Sequence, residues 1–208
     1  MSIGSIQTGP RRVPGRGSTK GSPTYFDFEF SLCEVEPRIW RRFLIRSTAS
    51  FKDLHLAIQE AAGWWNYHLY VFRTEMGWDE DCQMAGSPVD DYGEKPMPDA
   101  ARVKLQSYFG DGKLTRCYYL YDFGDDWWHE VVLRDVVTLP ETFKRRLLGG
   151  ARAFPHEDCG GLSGYAECVK VALGKESGVE DPESFRTWLG GWQPEAFELE
   201  AAKRAFDR

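Results

Sequence analysis

Three short segments hold every histidine of the chain. LHLAIQEAAGWWNYHLY carries His55 and His68; YDFGDDWWHE carries Asp122, Asp125, Asp126, His129 and Glu130; GGARAFPHEDCGGLSGY carries His156, Glu157, Asp158 and Cys159. Imidazole together with carboxylate is the donor set of zinc, manganese and iron sites, which makes His68, Asp122, Asp125, His129 and Glu157 candidate ligands for a divalent metal. Spacing alone does not assemble them. His55 and His68 are not an i, i+4 pair, no H-E-x-x-H occurs, and Asp125 meets His129 only if the FGDD turn folds back on the strand that follows.

The same residues have structural roles to set against that chemistry. Asp122, at a strand exit, is placed to accept backbone N–H groups in an Asx-turn, with Gly124 expected to supply a positive φ. His55 falls beside Gln59 rather than on the apolar seam of its helix. Trp127 and Trp128, adjacent in a strand, must point to opposite faces, so at most one is wholly in the core. Cys159 precedes Gly160-Gly161 and a helix, where terminal amides lower a thiol pKa, but Asp158 acts in the opposite direction and no base is assignable. The paired glycines match neither a dinucleotide nor a P-loop fingerprint.

The elements that must position these residues read as follows. FDFEFSLCEV and IWRRFLI alternate with period two across a Pro-containing turn and predict an antiparallel hairpin. Ser50 with Asp53 three residues on, and Gly63 at the far end, delimit a helix over SFKDLHLAIQEAAG. WWNYHLYVFRTE is expected as a third strand carrying His68. The Asp-, Glu-, Gly- and Pro-rich stretch from about 77 to 113 is expected to be a flap or an insertion with little order beyond 101–109. Two strands, CYYL and VVLRDVV, flank YDFGDDWWHE; PETFKRRLL is expected as a short helix starting at proline. Helices are expected over LSGYAECVKVALG, over DPESFRTWLGG with Asp181 as N-cap, and over PEAFELEAAKRAF.

Composition narrows the function classes. Among 208 residues, 42% are hydrophobic, ample for one core. The net charge of −6 argues against a general nucleic-acid surface, whose affinity comes from Lys and Arg neutralising phosphates. Five cysteines at irregular spacing, without a C-x-x-C pair, fit neither a disulfide framework nor a zinc ribbon. No apolar run reaches the roughly 18 to 20 residues of a spanning helix, and the N-terminus lacks the apolar core of a signal peptide, so a cytoplasmic protein is expected. Residues 1–23, rich in Gly, Pro, Ser and Arg, are expected to form a disordered basic arm, and 24–208 one α+β domain.

Taken in order, PRIWRRF, FKDLHLAIQEAAGW, HLYVF, YDFGDDWWHEVVL, GGARAFPHEDCGG and WLGGWQPEAFELE closely resemble the Ri-plasmid ORF-three-like (pRiA-type) family, whose members are also labelled insertion-sequence passenger or TnpR-type proteins. The resemblance runs from about Tyr25 to the C-terminus. It implies a compact α+β fold, consistent with a mostly antiparallel sheet packed by helices, a strand-strand-helix-strand start as in β-grasp folds, and a helical last quarter. Similar proteins usually read CPPEDCGG in the third motif, where this chain has Phe154 and His156 in place of the cysteine and the second proline. The acidic chain with its mixed-charge final helix lacks the basic DNA-reading element a serine resolvase requires.

The resulting expectation is a binding or accessory protein associated with plasmid or mobile-element DNA, with a protein or DNA partner. Its cleft would be lined by His68, Asp122, Asp125, His129, Glu157 and Asp158 and walled by Trp64 and Trp128. The alternative is a metal-dependent hydrolase or nuclease using the same cleft.

Overall fold

The computed structural model describes residues 21–88 and 96–207. Residues 1–20 of the expected basic arm lie outside the described residues, as does part of the expected flap. Strand β1 (Thr24–Leu32) buries Phe26, Phe28, Phe30 and Leu32 on one face, and β2 (Trp40–Arg46) adds Phe43 and Ile45 to the same side. The two pair antiparallel from Tyr25↔Arg46 to Ser31↔Trp40. Helix α1 (Phe51–Ala62) begins in a full capping box, with Ser50 and Asp53 bonding each other's backbone, and ends at Gly63 in the left-handed conformation.

Strand β3 (Tyr70–Arg73) is followed by a 3₁₀ turn at Glu80–Cys82, β4 (Gln83–Gly86) and helix α2 (Gln106–Phe109). The central hairpin is β5 (Arg116–Tyr121) and β6 (Trp127–Thr138); β7 (Arg145–Ala151), α3 (Gly161–Ala172), α4 (Pro182–Trp188) and α5 (Leu199–Phe206) complete the order. The seven described strands form one antiparallel sheet, β4-β3-β5-β6-β1-β2-β7. The strand-strand-helix-strand start is present, with β5 and β6 lying between β1 and β3. The fold is α+β.

Apolar burial decides which face the helices cover. Phe51 of α1 meets Phe72 and Phe109, Phe109 meets Phe28, and Phe206 of α5 meets Phe43, all at ring separations between 4.9 and 6.2 Å. The opposite face carries an ion-pair ladder: Arg42 on Asp27, Arg38 and Arg134 on Glu29, and Arg116 on Glu130. A smaller cluster of Cys168, Val171 and Leu189 joins α3 to α4. Among the described residues no helix is long and apolar enough to cross a membrane. All five cysteines are free thiols.

Four expectations are corrected. The third strand starts only at Tyr70, because Asn66 takes a left-handed φ of 61° that breaks an extended run. PETFKRRLL is not helical: its second half is β7, where pairing of β2 from Trp40 to Ile45 supplies backbone partners that an isolated turn of helix would not. The acidic connection contains β4, paired to β3 at Val71↔Gly86 and Phe72↔Ala85, and its Phe109 is fully buried. The final helix starts at Leu199 rather than at Pro194.

Candidate functional site

The tip of the β5–β6 hairpin is built by Asp122. Its Oδ1 accepts the N–H of Gly124 at 3.0 Å and of Asp125 at 3.4 Å, the expected Asx-turn. The positive φ falls on Asp122 (56°) and Asp126 (54°), not on Gly124 as expected. Aspartate tolerates that region because its short side chain bonds locally. With Oδ1 occupied by the turn, Oδ2 faces the imidazole of His68, 3.5 Å from Nε2.

His68 lies two residues before β3, in a connection held by Tyr121. The Tyr121 hydroxyl accepts the N–H of Tyr67 at 3.0 Å and of His68 at 3.3 Å, and itself donates to Glu157. Glu157 also accepts the N–H of Trp65 at 2.6 Å. Burial and the neighbouring Glu157 carboxylate push the Tyr121 phenol well above its ordinary range, so it stays a donor. The third strut is Trp64, which stacks on Tyr121 at 5.1 Å and donates its indole N–H to Pro155 O at 2.9 Å.

These contacts carry the 153–161 loop onto the hairpin tip. Asp158, left-handed at φ 61°, brings Oδ1 to 2.7 Å from His68 Nε2. Asp125 Oδ2 accepts the N–H of Gly160 at 3.0 Å. The metal-competent atoms of His68, Asp122 and Asp158 all lie within 4.8 Å of one another. Two donors on one cation at bond lengths near 2.1 Å stand roughly 3.0 to 3.4 Å apart, and the two His68 distances bracket that range.

The other expected members are placed elsewhere. His129 is fully buried on the inner face of β6 between Trp64, Phe30 and Phe154, with Nδ1 3.3 Å from Tyr119 O. Burial pulls its pKa down to about 4. Trp127 shares that buried face. Trp128 is on the opposite face near Trp78, where it lines a surface pocket with Asp125 and Gly160. Asp125 and Glu157 spend their carboxylates on backbone and phenol donors rather than on His68.

His55 is a core residue, contrary to its expected place off the apolar seam. It stacks on Tyr70 at 3.5 Å. Its Nε2 donates to Asn66 Oδ1 at 2.6 Å, and Nδ1 accepts from the Tyr119 hydroxyl at 2.7 Å, which in turn accepts from Gln59. That network requires the neutral ring, and desolvation pulls the pKa down to about 4. The thiol of Cys159 is pushed up by its hydrogen bond to Cys168 and by burial, the reverse of what a nucleophile requires.

No role is expected from the sequence for Asn66, Trp65 or Tyr67. Asn66 joins the site connection to His55, while Trp65 and Tyr67 stand stacked beside the site and are 73% and 71% exposed. Three aromatics in the stretch WWNYH were the available signal.

A profile of the family described as plasmid pRiA4b ORF-3-like protein matches residues 24–201. The uncharacterized protein y4hQ of Sinorhizobium fredii is 37% identical over 144 residues, covering 68% of this chain and 70% of that protein. The crystal structure of MM3350, a protein of unknown function from Methanosarcina mazei Go1, superposes with a TM-score of 0.72 at 31% identity, over 88% of this chain and 98% of that one.

Proposed function

The chain belongs to the plasmid pRiA4b ORF-3-like family, and within it we propose that it is a binding protein whose working cleft holds a divalent cation on His68, Asp122 and Asp158. The observation that carries this reading is the position of His68 Nε2 at 2.7 and 3.5 Å from two carboxylate oxygens on different elements. His68 Nε2 lies within hydrogen-bond distance of Asp158 Oδ1, and a cation would take the place of that contact. The stacked Trp65 and Tyr67 beside the cleft supply a contact surface of the kind partner sites use. An association with plasmid or mobile-element DNA rests on the family description, and the net charge of −6 offers a duplex no broad cationic surface. The function is therefore assigned to the cleft.

Titration calorimetry of the full chain with zinc, manganese and magnesium tests the reading. At least one should bind with one equivalent, and Asp158→Asn should weaken it about 10- to 100-fold without shifting thermal unfolding, since Asp158 is exposed. Asp122→Asn should lose affinity while its Oδ1 still accepts the turn N–H groups, and Asp122→Ala should lose both affinity and stability, because it removes the turn acceptor as well. Equal affinity in wild type and Asp158→Asn sinks the assignment.

One feature favours a hydrolytic reading of the same site. Three protein ligands leave positions open for water, the arrangement of catalytic rather than structural metal centres. Cation-dependent cleavage of a phosphodiester such as bis(p-nitrophenyl) phosphate, abolished in His68→Ala, would move the protein into that class.

A further inference from the structure

On the other side of Trp64 lies a pocket of about 380 Å³ with a different chemistry. Its walls are aromatic: Trp64, Phe154, Trp192 and Phe197. Arg41 of β2 lines it too, and is only 5% exposed. The guanidinium donates from Nε to Ala61 O at 3.1 Å, and from Nη1 to Trp40 O at 2.8 Å and Ala151 O at 3.0 Å. Phe197 and Phe154 stand 4.1 and 4.9 Å from its centre.

Among the described residues no carboxylate pairs with Arg41, and none of its three hydrogen bonds uses Nη2. Desolvation pulls its pKa down to about 10. By contrast, Arg42 of β2 has Asp27 in reach, and Arg152, just past the end of β7, has Glu195. The space around Arg41 is kept open by sequence: its strand partner is Gly150, where a Cβ would stand 2.5 Å from Arg41 Cδ and 2.8 Å from Phe197 Cζ.

We propose that this pocket binds a small organic monocarboxylate with an aromatic or branched apolar body, its carboxylate on the Nη2 edge of Arg41 and its body among the four aromatic rings. The volume falls at the small end of the range for small-molecule sites. A planar guanidinium matches a carboxylate, and a buried cation without a counter-ion gains most from one brought by a ligand. Glu157 and Glu198 also line the pocket, so a dianion is repelled where a monoanion is accepted. The site is separate from the His68 cluster and does not depend on a cation being held there.

The test uses the full chain and three ligands of one shape: phenylacetate, phenylacetamide and phenyl phosphate, titrated by ligand-observed NMR. Phenylacetate should saturate below ~10 mM, with the amide and the phosphate each about tenfold weaker. Ala196→Trp, on the exposed rim, should abolish phenylacetate binding and leave thermal unfolding unchanged. If phenylacetate and phenylacetamide titrate alike, if the phosphate binds as well as the carboxylate, or if Ala196→Trp leaves the titration intact, the proposal is overturned. Absence of any phenylacetate binding overturns it as well, and leaves Arg41 as a tie between α1, β2 and β7.

Discussion

Asp125 and Gly160 meet across the cleft, with the Asp125 carboxylate accepting the Gly160 N–H at 3.0 Å. The next residue makes the approach closer still. A Cβ on Gly161 would stand 2.7 Å from the carbonyl oxygen of Asp125, and Gly161 has a φ of +66°. The two glycines are therefore what lets the loop carrying Glu157 and Asp158 dock on the hairpin tip, and no dinucleotide is needed to explain them.

Gly161→Ala should consequently lower stability by roughly 2 to 3 kcal/mol, from the unfavourable φ together with the backbone clash. Asp125→Ala, which removes only a charge-assisted hydrogen bond, should cost about 1 to 2 kcal/mol. Urea denaturation of the two variants gives the ordering directly. Because Asp158 rides on the same loop, Gly161→Ala should also weaken cation binding. A Gly161→Ala midpoint equal to wild type would mean that the loop does not depend on this contact.

Tyr121 is the joint between three segments, since its hydroxyl serves Glu157 and the backbone of Tyr67 and His68 at once. Tyr121→Phe should cost about 2 to 3 kcal/mol, because it leaves a buried carboxylate and two N–H groups short of a partner. The Tyr121→Phe/Glu157→Ala double variant should be non-additive by roughly 1 to 2 kcal/mol, as each change breaks the same bond. Additive losses in this cycle would show that Glu157 is held by the Trp65 N–H alone.

Much of this frame could be read from residues alone. Alternation gave the β1–β2 hairpin, and Ser50, Asp53 and Gly63 marked both ends of α1, because local bonds determine those features. Asp122 was legible as an Asx-turn for the same reason. β7 was not, since the short Arg145–Ala151 stretch is extended only by pairing with β2, a partner some hundred residues away in the chain. His129 illustrates a signal that was present: period two puts it with Trp127 and Val131 on the buried face, and that pattern outweighs its polar composition. The His68–Asp158 contact joins residues ninety apart, and no spacing rule reaches that far.

The two buried imidazoles set how the fold should respond to acid. His55 and His129 both titrate near pH 4 when folded, against an ordinary value of 6.5, with burial as the leading cause. Above pH 6.5 both are neutral in folded and unfolded chains alike, and their contribution is fully present. As the pH falls from 6.5 toward 4, the unfolded chain takes up protons that the folded chain refuses. Stability should fall by about 1.4 kcal/mol per pH unit for each histidine, or roughly 3 kcal/mol apiece across the window. Urea midpoints measured between pH 7 and pH 4.5 should show this slope. His129→Phe removes one titrating ring from the core and should reduce the slope by about half over that window, whatever its effect on stability at pH 7. A variant that keeps the full wild-type slope would mean that His129 is already protonated in the folded chain, and that its buried Nε2 has found an acceptor.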